Sequence, residues 1–127
     1  MSPEEQQKVV DSYIASSKLV WGPDKVLRRG DDSSWASDAL YALVTTNTEL
    51  CLKLCADIAN RDSSDQLLER LANGPLADVL RRADPSVLSA VEALAVNRHS
   101  FRELLSYVWE DHAFPPATWA VIQAHSA

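Results

Sequence analysis

Apolar residues recur along most of this chain at the three- and four-residue spacing of one helix face, and short polar breaks cut the recurrence into segments. The first segment is well signalled. Ser2 can cap a helix, Pro3 fits its first position, and Glu5 completes a capping box. Val9, Val10, Tyr13 and Ile14 follow at helical spacing, and the pattern runs to about Val20 before Trp21-Gly22-Pro23 ends it. Residues 22–33 are the least regular stretch: Gly22, Pro23, Gly30, Asp31, Asp32 and Ser33 suit turns and caps, and residues 24–29 have room for one helical turn.

From Ser33 or Ser34 onward the helical pattern is nearly continuous. Trp35, Ala36, Ala39, Leu40, Leu43 and Val44 mark one buried face; a break at residues 45–48 leaves Thr48 to cap the next helix. That helix carries Leu50, Cys51, Leu52, Leu54, Cys55, Ile58 and Ala59. It is apolar around most of its circumference and is expected at the centre. Ser63 or Ser64 caps a helix with Leu67, Leu68 and Leu71. Asn73-Gly74-Pro75 then stops it, with Gly74 expected in the left-handed region and Pro75 opening the next helix. Asp84-Pro85 is another cap and first position, and Ser100 with Glu103 reads as a second capping box. The last helix opens near Pro115-Pro116 and carries Trp119, Val121 and Ile122.

No run alternates like a strand between hairpin turns. The expected fold is therefore all-α, with about seven to eight short helices in antiparallel hairpins, as a HEAT-like stack or an irregular bundle. Residues 39–43 and 90–94 match weakly, Ala-Leu-Tyr-Ala-Leu against Ala-Val-Glu-Ala-Leu, as two stacked copies of one hairpin would, with the Gly74-Pro75 hairpin between them. One domain is expected over residues 1–127, an N-terminal helix and loop over 1–33 followed by helical hairpins over 34–127.

Composition agrees with a folded domain: 127 residues, 46% hydrophobic and 24% charged. The net charge of −6 argues against a phosphate backbone as partner, since Arg28-Arg29 and Arg81-Arg82 are the only basic doublets and both suit helix C-termini. There is no apolar leader at the N-terminus and no run of the roughly 20 apolar residues that spans a bilayer. Cys51 and Cys55 share one helix face and read as two small buried or half-buried thiols. Together these features suggest a cytoplasmic protein with no nucleic-acid or membrane partner.

The chain from Trp35 onward resembles a family of small bacterial helical domains of unknown function. The resemblance rests on Trp35-Ala36 with Ala39-Leu40, on residues 72–80 with the Gly74-Pro75-Leu76 turn as the sharpest part, on Phe101-Arg102 and Val108-Trp109, and on Pro116, Trp119 and Ala120. It covers about the last three quarters of the chain, leaving roughly the first thirty residues outside. It implies a helical fold and a bacterial origin, and no activity.

Chemistry is sparse. His99, His112 and His125 complete no Ser-His-Asp set, and three isolated glycines cannot form a phosphate loop. Glu110-Asp111-His112 is the one local cluster, but neighbouring residues rarely converge on one ion, so no metal or other cofactor is expected. Most of the four tryptophans are expected in the core, and one left exposed would be a binding anchor. The expectation is a non-enzymatic protein-binding module, in its sharpest version an immunity protein that neutralises a basic toxin through an acidic surface. A structural or regulatory subunit of a larger bacterial assembly is the alternative. The candidate partner-binding residues are Trp21, Asp31, Asp32, Trp109, Glu110 and Asp111.

Overall fold

Helix α3, over Thr48–Arg61, is the element around which the others pack. The structure is a computed structural model that describes residues 1–17, 19–21, 24–25, 27–29 and 34–126. Cys51, Leu52, Leu54, Cys55, Ala56, Ile58 and Ala59 of α3 are all buried, as the all-round apolar pattern predicts. The cap is Asn47, not Thr48: the Leu50 N–H donates to Asn47 Oδ1 at 3.3 Å, while the Thr48 hydroxyl turns back to the Val44 carbonyl at 2.8 Å.

Helix α1 (Pro3–Ser17) and helix α2 (Trp35–Thr46) lie on α3 and on each other. Glu5 N–H donates to Ser2 Oγ at 3.2 Å, the cap read from the sequence. Val9, Val10, Tyr13 and Ile14 form the inner face of α1, and polar links fasten its edges. Lys53 donates to Gln6 Oε1 at 2.9 Å, Arg61 pairs with Asp11, and Arg70 donates to Ser16 and Ser17 while covering the Tyr13 ring at 4.8 Å.

The segment between α1 and α2 departs from expectation. Helix α1 ends at Ser17, and β1 (Leu19–Trp21) pairs antiparallel with β2 (Leu27–Arg29) in the register Leu19↔Arg29, Val20↔Arg28, Trp21↔Leu27. Among the described residues of 24–29 there is no helical turn, and Arg28-Arg29 lies in a strand. Val20 and Trp21 are strand formers, and a short apolar run before Gly22-Pro23 cannot be told from a last helical turn by spacing alone. Lys25 takes the left-handed conformation, φ 60°, in the connection.

Helices α4 (Asp65–Leu71) and α5 (Ala77–Arg81) are joined by a wide turn over Ala72–Leu76. Gly74 sits there at φ −112°, ψ −110°, so the expected left-handed glycine is not found. The glycine leaves space instead: a Cβ on it would stand 2.9 Å from the Tyr41 hydroxyl, which would have to shift. Arg81 does stand in the last turn of α5.

Helix α6 (Pro85–Asn97) starts as read, with Val87 N–H donating to Asp84 Oδ1 at 2.9 Å and Pro85 in the first turn. Helix α7 (His99–Ser106) does not use the expected Ser100–Glu103 box. It starts two residues earlier, at His99 with Arg98 in the cap position; Ser100 Oγ faces Asn60 Oδ1 at 3.5 Å, and Glu103 meets His99 Nε2 at 2.8 Å. Helix α8 (Pro116–His125) closes the fold, its Trp119 stacked on Phe114 with ring centroids 6.3 Å apart.

The architecture is all-α with one short hairpin. Helix α3 touches both α6 and α7 directly, so the Gly74-Pro75 hairpin does not separate two stacked copies. The helices form an irregular bundle wrapped on α3, and the buried side chains make one contiguous cluster. No helix among the described residues is long and apolar enough to cross a membrane.

Candidate functional site

The connection between α7 and α8 is held from both sides of Trp109. On one side, Asn73 in the Ala72–Leu76 turn accepts the Trp109 backbone N–H at 3.0 Å and donates to the Tyr107 carbonyl at 2.8 Å and the Glu69 carbonyl at 3.1 Å. The amide thus uses its oxygen and its nitrogen on separate partners, which fixes its orientation. On the other side, the Asp111 carboxylate accepts the Ala113 N–H at 2.8 Å and a 2.8 Å contact from Arg81. The same guanidinium reaches Asp78 at 2.9 Å and lies 5.8 Å from the Phe114 ring centre.

The result is a fixed backbone carrying an uncovered ring. Trp109 is 68% exposed, the most exposed large apolar residue among those described, and Glu110 beside it is exposed as well. Tyr41 of α2, 42% exposed, places its hydroxyl against Gly74, one residue from the Asn73 clamp. Tyr107 donates its hydroxyl to Asp65 of α4.

The charges tune one another. The Ala113 N–H, followed by Arg81, holds the Asp111 carboxyl below its ordinary range, and Asp111 in turn raises the already high Arg81. The hydrogen bond to Asp65 pushes the Tyr107 phenol up, and burial followed by Asp78 pushes Tyr41 up. Asp111 is thereby held as the carboxylate, and Tyr107 and Tyr41 as neutral phenols, at neutral pH.

A second concavity, of about 620 Å³, opens between the α3–α4 and α6–α7 turns and is lined by Asp57, Asn60, Ser63, Arg98 and His99 among others. Its polar side chains are already engaged: Arg98 pairs with Asp57 at 2.9 Å, and His99 Nε2 lies 2.8 Å from Glu103 Oε1. The groove is wide and open, and no nucleophile there touches a base in the arrangement that activates one.

Trp109, Glu110 and Asp111, three of the residues singled out in the sequence, are consecutive in the connection between α7 and α8. Asp111 is a brace rather than a free acceptor, because Arg81 and the Ala113 N–H occupy its oxygens. Asp31 and Asp32 lie outside the described residues, as does the side chain of Trp21, the last residue of β1. The expectation that most tryptophans are core is not met: Trp35 is 43% exposed, Trp109 more so, and Trp119 half-buried. The Glu110-Asp111-His112 cluster does not converge, and no group of three or more His, Cys, Asp or Glu side chains among the described residues could hold a metal ion. Sequence reasoning missed Asn73, Tyr41 and Arg81. The Asn73-Gly74-Pro75 break was visible, but it read as a helix stop with no hint of what its amide would hold.

Compared with known families, a model described as a family of unknown function, DUF6869, matches residues 25–127. Nothing matches among curated proteins or among solved structures.

Proposed function

The chain belongs to this family of unknown function, and from that premise we propose that it is a non-enzymatic protein-binding module of the bacterial cytoplasm that engages its partner through the edge around Trp109. The carrying observation is that ring, 68% exposed on a backbone that Asn73 and Asp111 already hold. Exposing a large aromatic forfeits the favourable burial that drives folding, and tryptophan is enriched where binding energy concentrates. A fixed backbone also lowers the ordering cost of association. The sharpest form of the reading is an immunity protein that neutralises a basic toxin, supported by the net charge of −6 and by the exposed Glu110 next to Trp109 in the chain.

The test is a paired affinity capture from the native host, with the natural chain and the Trp109→Ala variant as baits. One stoichiometric partner on the natural chain, reduced at least tenfold on the variant, supports the reading. Equal recovery on both baits places the interface elsewhere, and no stoichiometric partner on either overturns it. For the immunity version, cells deprived of this chain should be poisoned by a toxin of their own or a neighbouring genome, and survival would sink that version.

The alternative, a structural or regulatory subunit, is favoured by a different observation, the 66% exposure of Val96 on α6. It predicts self-association or assembly through that face without salt dependence, measurable by sedimentation.

A further inference from the structure

The edge around Trp109 combines an uncovered π-face with an excess of carboxylates, and that pairing selects a class of occupant. Asp78 and Asp111 share the single Arg81 guanidinium, Asp65 is engaged by a neutral phenol, and Glu69 and Glu110 are exposed with no ion pair among the described residues. Set against Arg81 and Arg70, the two guanidinium groups that act on Tyr41, the carboxylates Asp65, Glu69, Asp78, Glu110 and Asp111 leave the balance of these groups negative. An apolar partner segment brought onto Trp109 would have to strip water from those carboxylates without replacing it. An acidic segment would be repelled. A guanidinium or ammonium group meets neither penalty: it is attracted by the negative face of the indole and by the carboxylates on the same side of the charge balance.

We infer that the Trp109 edge receives a cationic side chain, arginine or lysine, carried on a partner protein, with the indole face as its seat and Glu110 as its nearest counter-charge. The inference rests on the protein-binding reading above and adds to it the chemistry of the occupant. Arg81 supplies an internal precedent for the geometry. It lies 5.8 Å from the Phe114 ring centre while pairing with Asp78 and Asp111, the same combination of ring and carboxylates that Trp109 and Glu110 leave open to an outside cation. Arg70 also lies over a ring, Tyr13 at 4.8 Å, there with the Ser16 and Ser17 hydroxyls as its acceptors.

The experiment uses the intact chain labelled at its indole nitrogens, with the Trp109 resonance assigned from Trp109→Phe. The probes are an oligoarginine, an oligoglutamate and an uncharged leucine-serine peptide of equal length. Oligoarginine should move the Trp109 indole signal and leave those of Trp35 and Trp119 in place. The shift should vanish near 1 M salt, where screening reaches about 3 Å, and the apparent affinity should fall several-fold in Glu110→Gln. A Trp109 signal that oligoarginine does not move, that oligoglutamate moves equally, or that the uncharged peptide moves in preference overturns the inference. The two readings fail separately. If Trp109→Ala loses the host partner while oligoarginine leaves the indole unmoved, the binding module stands and the cationic occupant falls.

Discussion

Asn73 holds Trp109: across 36 residues of sequence, one side-chain amide accepts the tryptophan's backbone N–H at 3.0 Å and with its nitrogen donates to the carbonyl of Tyr107. The turn between α4 and α5 and the connection between α7 and α8 are thereby one unit, and the exposed indole is its projection.

Replacing Asn73 by alanine leaves the Trp109 N–H and the Tyr107 carbonyl without these partners. The expected loss is about 1–2 kcal/mol, the range for half-buried groups deprived of a hydrogen bond. Hydrogen exchange at the Trp109 amide should accelerate by more than the global destabilisation accounts for. Asn73→Asp should keep the Trp109 bond and lose the Tyr107 and Glu69 bonds, so it should protect that amide better than alanine does. Equal exchange in both variants would show that the clamp does not hold the loop.

Gly74→Ala brings a methyl to 2.9 Å from the Tyr41 hydroxyl. Because Tyr41 is half out of the core, its ring can swing, so the cost should be modest, about 0.5–1.5 kcal/mol. In a Tyr41→Phe background the cost should shrink, a coupling that denaturant unfolding of the double-mutant cycle measures. Additive effects would mean that the hydroxyl is not what limits the site.

The family match begins at residue 25, yet α1 lies before it and supplies Val9, Val10, Tyr13 and Ile14 to the core. Tyr13→Ala, at a fully buried ring, should destabilise by about 3–5 kcal/mol. A fragment of residues 25–127 should expose the faces of α2 and α3 on which α1 lies, and should aggregate or melt at much lower temperature than the whole chain. A fragment as stable as the whole chain would show that α1 is dispensable.

Asp111 has a folded-state pKa below its ordinary value, so its contribution to stability is present above about pH 4, the usual aspartate range, and is lost as pH falls through the lower folded value. The natural chain should therefore be more stable than Asp111→Asn at neutral pH, and the gap in melting temperature should close only below about pH 4. A constant gap down to strongly acidic pH would assign the difference to something other than the carboxylate charge.

Cys51 and Cys55 are fully buried, and the Cys55 thiol is pushed well above its ordinary pKa, first by its hydrogen bond with Cys51 and then by burial. Burial keeps the reagent from both sulfurs, so neither cysteine should be alkylated by iodoacetamide at neutral pH in the folded chain, and both should react on unfolding. Rapid labelling under native conditions would contradict this packing.

Much of the helical layout was legible because it is local. Ser2, Asp84 and Pro85 act within one turn of the helix they start, and α3 announces its central place by being apolar on nearly every side. Local rules also misled where two local answers compete. Leu19, Val20 and Trp21 suit a last helical turn or a strand, and what decides is the pairing with Leu27–Arg29, several residues away. Ser100 and Glu103 have the spacing of a capping box, but Asn60 and His99 took their side chains.

The sequence by itself determined the all-α class, the central helix, the burial of both cysteines and the polar breaks between helices, because periodicity, capping and hydrophobicity are properties of a short stretch of chain. It also marked Trp109 and Glu110 as residues to watch. Only the tertiary structure decided that Trp109 stays uncovered, that Asp111 is spent as a brace on Arg81 and that the Tyr41 hydroxyl comes up against Gly74. Each of these depends on which distant segment arrives at a given place, and no spacing along the chain encodes that arrival.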